Sequence, residues 1–273
     1  MLRAGALPAD GSSSSVAGVA LPAGSRCRHV WVSDGPVDDA VELASRLAAV
    51  FERTGLWPVP WSAQEDPDPY LQGPDDAGAG IDDGDAEGIL RKLWKTADHP
   101  SLRAANAPFG AVFPGLAPGS PGARIGAAAR DPFRAVARTP PAERGDEKPW
   151  LLLVPANRPA DVPAALAVGL TEDVTSDHAV STVLRSWEER FGAVLVEVAP
   201  SSLALVVDRP VIGNSQALKL AAEHAALAPQ PDGARPGTIR DVAGLLRRGR
   251  PVSRAWGPEL PLTPQLWELG WFD

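Results

Sequence analysis

Apolar residues recur along this chain in two rhythms, and long stretches that carry neither rhythm separate them. Val37, Val41, Ala44, Leu47, Ala48 and Phe51 return every three or four positions, which puts them on one helical face. Asp34 is placed to cap that helix, Pro36 suits its first turn, and Gly55 stops it. His29 to Ser33 before it has strand composition. Leu56 to Trp61 (L-W-P-V-P-W) after it reads as extended, with two prolines that assign it to a sheet edge or a polyproline segment. Further on, Asp85 introduces a short helix with an Ile89, Leu90, Leu93, Trp94 stripe.

From Trp150 the pattern is denser. Trp150 to Pro155 is a continuous apolar run of strand length, as expected of a buried central strand. Asp161 to Val168 predicts a short helix. Ser176 or Asp177 caps a longer one, with Val180, Val183, Leu184, Trp187 and Phe191 on one face and Gly192 as its stop. Ala193 to Ala199 and Leu203 to Arg209 predict a hairpin, and Ser215 to Leu227 a second long helix. Thr238 with Asp241 three positions on has the form of a capping box for a third, and Pro251 to Trp256 is expected to be a last strand. The order strand, helix, strand, strand, helix, strand is that of the ferredoxin-like, or split β-α-β, arrangement, so the expected class is α+β.

Composition sets how much of the 273 residues can belong to regular elements. The chain holds 29 Pro and 26 Gly, many of them clustered, and these resist helix and strand alike. The expected division is a disordered tail over 1–28, a small β-α-β unit over 29–62, an acidic and then Pro/Gly/Ala-rich linker with one short helix over 63–149, and an α+β domain over 150–273. The net charge of −8 is concentrated: between Ala63 and Asp98 ten acids face three bases. That stretch reads as a solvated linker. Cys27 is the only cysteine, which excludes an internal disulfide and a thiolate metal cage and favours a reducing, cytoplasmic setting. No apolar run is long enough for a membrane span, and no broad basic face supports nucleic-acid binding.

The block S-T-V-L-R-S-W-E-E-R-F-G-A (Ser181 to Ala193), together with L-A-L-V-V-D-R-P (Leu203 to Pro210) and A-A-E-H (Ala221 to His224), resembles the bacterial family known as domain of unknown function 4253. The resemblance covers about Trp150 to the C-terminus. V-W-V-S-D-G-P (Val30 to Pro36) and T-G-L-W-P (Thr54 to Pro58) are similar to N-terminal segments of some members. It implies no activity. Members follow A-E-H with an aromatic and a Cys-Pro-Asp turn, whereas Ala225 to Asp232 reads A-A-L-A-P-Q-P-D here.

The candidate chemistry lies in two carboxylate-histidine pairs, Asp177-His178 and Glu223-His224. The expected topology brings the start of one helix and the end of the next to the same sheet edge, where two imidazoles and two carboxylates would serve as metal ligands or for acid-base work. The competing account makes Asp177 a helix cap and His224 a cation suited to a helix C-terminus. G-N-S-Q-A (Gly213 to Ala217) mimics a nucleophile elbow but has Ala where the second glycine belongs, so Asn214 or Ser215 reads as a cap. D-D-G-D-A-E-G (Asp82 to Gly88) lacks the ligand spacing of a calcium loop. The terminal W-E-L-G-W-F-D (Trp267 to Asp273) either docks on the body or forms a recruiting patch, and docking is expected. On balance the sequence reads as a non-catalytic interaction or regulatory module, a class that includes immunity-like proteins. Its expected partner is another protein, with no cofactor, no nucleic acid and no membrane. The alternative is a small metal-dependent or acid-base enzyme using the two pairs.

Overall fold

The structure is a computed structural model, and it describes residues 6–11, 14–61, 66–71, 84–96, 106–120, 131–137, 148–169, 174–228, 238–248 and 265–271. Nine strands are present among them. β1 (Ser15–Val16) and β2 (Val19–Ala20) form a separate hairpin. The other seven build one mixed sheet in the order β3 (Gly24–Cys27), β4 (Val30–Ser33), β6 (Trp150–Pro155), β5 (Leu56–Trp61), β7 (Ala193–Ala199), β8 (Ser202–Val207), β9 (Leu266–Gly270). All neighbours are antiparallel except β5 and β7.

This order corrects the ferredoxin-like expectation. The strands after β6 run as a meander, β7-β8-β9, and β6 does not touch any of them. Its partners come from the N-terminal unit instead: β4 and β5, joined through helix α1 (Ala40–Ala48), run parallel on either side of β6. The first part of the chain thus clasps a strand from the last part between two of its own. The physical reason is that β6, with Leu151 to Val154 fully buried, needs two neighbours, and β4 and β5 are both buried throughout and otherwise unpaired on that side. The class, a mixed α+β architecture of sheet and helices, is as expected.

β5 is correspondingly not an edge strand. Pro58 and Pro60 have the same parity, so both missing donors fall on one side, while Trp57, Val59 and Trp61 can donate on the other. The ladder to β6 runs over six residue pairs, and that to β7 has one, Trp61 with Val198. A side chain reinforces the weak seam: the Trp57 indole donates to the Leu195 carbonyl at 3.0 Å, beside the bulge that separates Leu195 from Glu197.

The described part of the expected tail is ordered, as β1 to β3. Arg26 holds β3 to the preceding segment, its backbone N–H donating to Asp10 and its guanidinium to the Pro8 and Leu7 carbonyls. Gly24 allows β3 to lie against β4, because a Cβ there would fall 2.1 Å from the Trp31 ring. Tertiary contacts of this kind have no periodic signature, and weak strand propensity gave way to them.

The helices form two groups. α1 packs on β5 together with α4 (Pro132–Ala137), which reaches β7 and β8. The short α2 (Phe51–Thr54) ends at Gly55 with φ 63°, as expected of that stop, whereas α1 begins only at Ala40 rather than after Asp34. The second group contains α3 (Ala86–Thr96), a 3-10 turn (Pro159–Asp161), α5 (Val162–Leu166), α6 (Asp177–Phe191), α7 (Asn214–Leu227) and α8 (Ile239–Arg248). α5 packs on β6, α6 on β7, and α3 bridges α6 and α7. α4 and an irregular strap over 106–120 lie in the region expected to be linker, and the strap is anchored to α6 and α7. The last strand expected at 251–256 lies outside the described residues, and the strand observed is β9. Trp267 and Trp271 dock as expected, the latter donating from its indole to the Leu227 carbonyl. Among the described residues no helix is long and apolar enough to cross a membrane.

Candidate functional site

Asp177 and His178 open α6. The cap is Ser176, whose hydroxyl accepts from the Ala179 N–H, and Asp177 turns back to accept from the Gly169 N–H at 2.8 Å. Glu223 and His224 sit where the last turn of α7 begins and contact the other end of α6, at Trp187 and Arg190. Nine residues of helix separate His178 from Trp187, about 14 Å along the axis. The two carboxylate-histidine pairs therefore do not converge, and among the described residues no group of three metal-ligating side chains forms. Asn214 and Ser215 are exposed, and Gly213 holds the cap position of α7.

Glu223 is fully buried and receives four donors. Oε1 accepts from the Ala117 N–H at 2.6 Å and from Arg190 Nη1 at 2.9 Å, and Oε2 from the Trp187 indole at 2.8 Å and Arg190 Nη2 at 2.6 Å. Arg190 also donates to the Ser186 hydroxyl and to the Ala117 carbonyl, and its guanidinium lies over the Phe191 ring. One buried ion pair thus ties α6, α7 and the strap together. Saturated by donors and closed to solvent, this carboxylate has no lone-pair direction left for a metal or a proton in transit.

His224 packs between the Trp187 ring, 4.7 Å away between centroids, and the Trp267 ring, 5.0 Å away. Its Nε2 has no hydrogen-bond partner among the described residues. Burial, and then the nearby Arg190 charge, push its pKa down to about 3. It is a neutral aromatic filler in the fold, not the helix-end cation the sequence allowed. The unfolded imidazole takes up a proton near its ordinary value of 6.5 and the folded one only near 3, so stability should fall as pH drops through that interval, by about 1.4 kcal/mol per pH unit. Urea unfolding from pH 7 to pH 4 should show that slope as the difference between wild type and His224→Phe, which lacks the titrating group.

The residues that make this cluster, Trp187, Arg190, Phe191, Glu223 and His224, are among those that carried the family resemblance. Residues 150–256 match the family model described as Domain of unknown function (DUF4253). No curated protein and no solved structure matches the chain. The DUF4253 match takes in β6 to β8 and α5 to α8, so the buried ion pair is internal to it while the strap, β4 and β5 are supplied from outside.

A cleft of about 440 Å³ opens beside this cluster. One wall is α6, with Thr182, Arg185, Ser186 and Glu189; the facing wall is the start of α3, with Gly84 to Glu87, and Leu116 of the strap and Arg158 complete the lining. Arg158 donates to Glu188 at 3.3 Å and to Glu189 at 2.9 Å, and Arg185 to Asp161 at 2.5 Å. Burial holds the Glu188 carboxyl above its ordinary range, against the pull of Arg158. Glu87 pairs with Arg91 one turn on, and Asp85 caps α3 by accepting from the Gly88 N–H at 2.9 Å. From the sequence Asp85 stands out only as a helix cap and Asp82 to Gly88 only as a stretch that lacks calcium-loop spacing; the cleft itself has no local signature, because four separate segments contribute its lining. Cys27, in β3, offers no thiolate: burial and then a hydrogen bond with Asp68 push its pKa up to about 11.

Proposed function

We propose that this protein is a non-catalytic interaction module that binds another polypeptide through the α3–α6 cleft, and that it acts in the bacterial cytoplasm. The observation that carries the reading is the state of Glu223 and His224. The one carboxylate-histidine pair that reaches the core is committed to holding helices and strap together, and the described residues bring no nucleophile, base and orienting group to one point. A cleft lined by alternating charges suits side chains of a protein surface better than a small substrate, whose pockets are largely apolar. The cytoplasmic setting is supported by the single cysteine.

Photo-cross-linking tests it. Benzoylphenylalanine in place of Leu116, on the cleft wall, should give one dominant polypeptide adduct in a lysate of the source cells, and the same group in place of the exposed Glu52 on α2 should not. Identical adducts from both positions, or none from position 116, would overturn the reading.

A further inference from the structure

We infer that α6, α7 and the loop between β8 and α7 form a groove for an extended peptide, and that residues 113–120 of the strap occupy it as a built-in competitor for segments of the same kind. The inference goes beyond the cleft reading and concerns a different surface, the one beneath the strap. Residues 113–120 read F-P-G-L-A-P-G-S and carry no charge. The segment is neither helix nor strand. Pro114 and Pro118 disfavour helical backbone at the residues before them, Phe113 and Ala117, so the segment is biased towards the extended form it needs.

Among the described residues no hydrogen bond joins two members of this segment, and its partners all lie between Arg190 and Glu223. The buried ion pair reads both backbone groups of one residue: Glu223 accepts the Ala117 N–H, and Arg190 donates to the Ala117 carbonyl at 2.8 Å. Gln216 donates to the Pro118 carbonyl at 2.8 Å and to the Ser120 hydroxyl at 3.1 Å. That hydroxyl donates to the Pro210 carbonyl, and the Ser120 N–H to the Arg190 carbonyl at 3.0 Å. Side chains that answer the backbone of an extended segment, with pockets for alternate residues, are the mode by which proteins bind peptides. The pockets are filled here by Phe113, against the Trp94 ring of α3, by Ala117 and by Ser120, all buried, while Pro118 and Gly119 between them are exposed. The hydrogen-bonding groups lie inside the family match and the strap outside it, so receiver and occupant come from separate parts of the chain. The ligand class follows from the occupant: an aromatic residue, a small one four places on and a hydroxyl three further, the first two each followed by proline. Arg190 and Glu223 already neutralise each other, which leaves the Ala117 position suited to an uncharged residue.

The test is fluorescence anisotropy of a labelled peptide of residues 109–120 with the full chain. In wild type the strap competes from within the molecule at an effective concentration on the order of millimolar, so the peptide should bind weakly. Gly119→Val loosens the strap without altering the groove, since a Cβ there would lie 3.1 Å from the Arg190 carbonyl oxygen. It should raise the affinity about tenfold or more, in proportion to the fraction of chains whose groove is open. Ser120→Ala removes only the two hydroxyl bonds and should raise it less; this milder variant decides the matter if Gly119→Val does not fold. Adding Gln216→Ala to either should cancel most of the gain, because that side chain serves the strap and the added peptide alike. A peptide carrying Ala117→Leu should not bind, as Ala117 is 1% exposed in the strap. Equal affinities for wild type and the strap variants, equal binding of the Ala117→Leu peptide, or a gain that survives Gln216→Ala would each overturn the inference.

Discussion

Glu223→Gln is expected to lower stability by about 3 to 5 kcal/mol, the cost of leaving one partner of a buried ion pair uncompensated. The substitution is nearly isosteric, yet it fails for a specific reason. All four groups around the carboxylate are donors, two on each oxygen. An amide nitrogen, whichever way it is turned, puts its own N–H groups against two of them and leaves the Arg190 charge unanswered. Arg190→Met should cost a similar amount by stranding the carboxylate. Arg190→Met combined with Glu223→Leu should recover part of the loss and no more, because the Ala117 backbone and the Trp187 indole would then be the groups without partners. Urea unfolding of wild type, Arg190→Met, Glu223→Leu and their combination, as a double-mutant cycle, measures the coupling directly. A Glu223→Gln loss under about 1 kcal/mol would mean that the cluster is not sealed as described.

A fragment beginning at Trp150 should fail to fold, although it contains the whole family match. β6 would lose β4 and β5, its two sheet partners among the described residues, and Leu151, Leu152, Leu153 and Val154 would lose the complete burial that the sheet gives them. Each costs about 1.5 to 3 kcal/mol to expose, so the four together equal much of the stability of an ordinary domain, about 5 to 15 kcal/mol. The fragment would also lack the strap N–H that completes the Glu223 site. Near-UV circular dichroism of residues 150–273, alone and co-expressed with residues 1–149, provides the check. Fixed aromatic signals should appear only in the co-expressed sample, and a fragment that unfolds cooperatively by itself would refute the shared-sheet account.

What the sequence disclosed and what it hid divide along one physical line. Elements whose evidence is local were readable: the amphipathic α6 with Ser176 and Gly192 at its ends, the β7–β8 hairpin, the buried run of β6 and the stripe of α3. Pairings between distant segments were not. Pro58 and Pro60 argued for an edge because a proline weakens any ladder it must donate to, and only the register shows both of them turned to the same, nearly unpaired side. The same applies to the site. Glu223 and His224 stand out as a titratable pair, but nothing local marks Arg190, and the Arg-Glu bond that determines what Glu223 does spans 33 residues. Asp177 and His178 have the same carboxylate-histidine pattern to recommend them and lie at the opposite end of α6.

The clasp of β4 and β5 around β6 also sets a timetable for a ribosome making this protein. Val32 and its ladder partner Leu152 lie 120 residues apart, and at ordinary elongation rates that distance takes on the order of ten seconds to synthesise. Throughout that interval two strands rich in Val and Trp leave the exit tunnel with no central strand to join, a state in which apolar edges recruit chaperones or one another. Production of the protein in a foreign host should thus be governed less by the stability of the finished sheet than by how well the nascent N-terminal third is shielded while it waits.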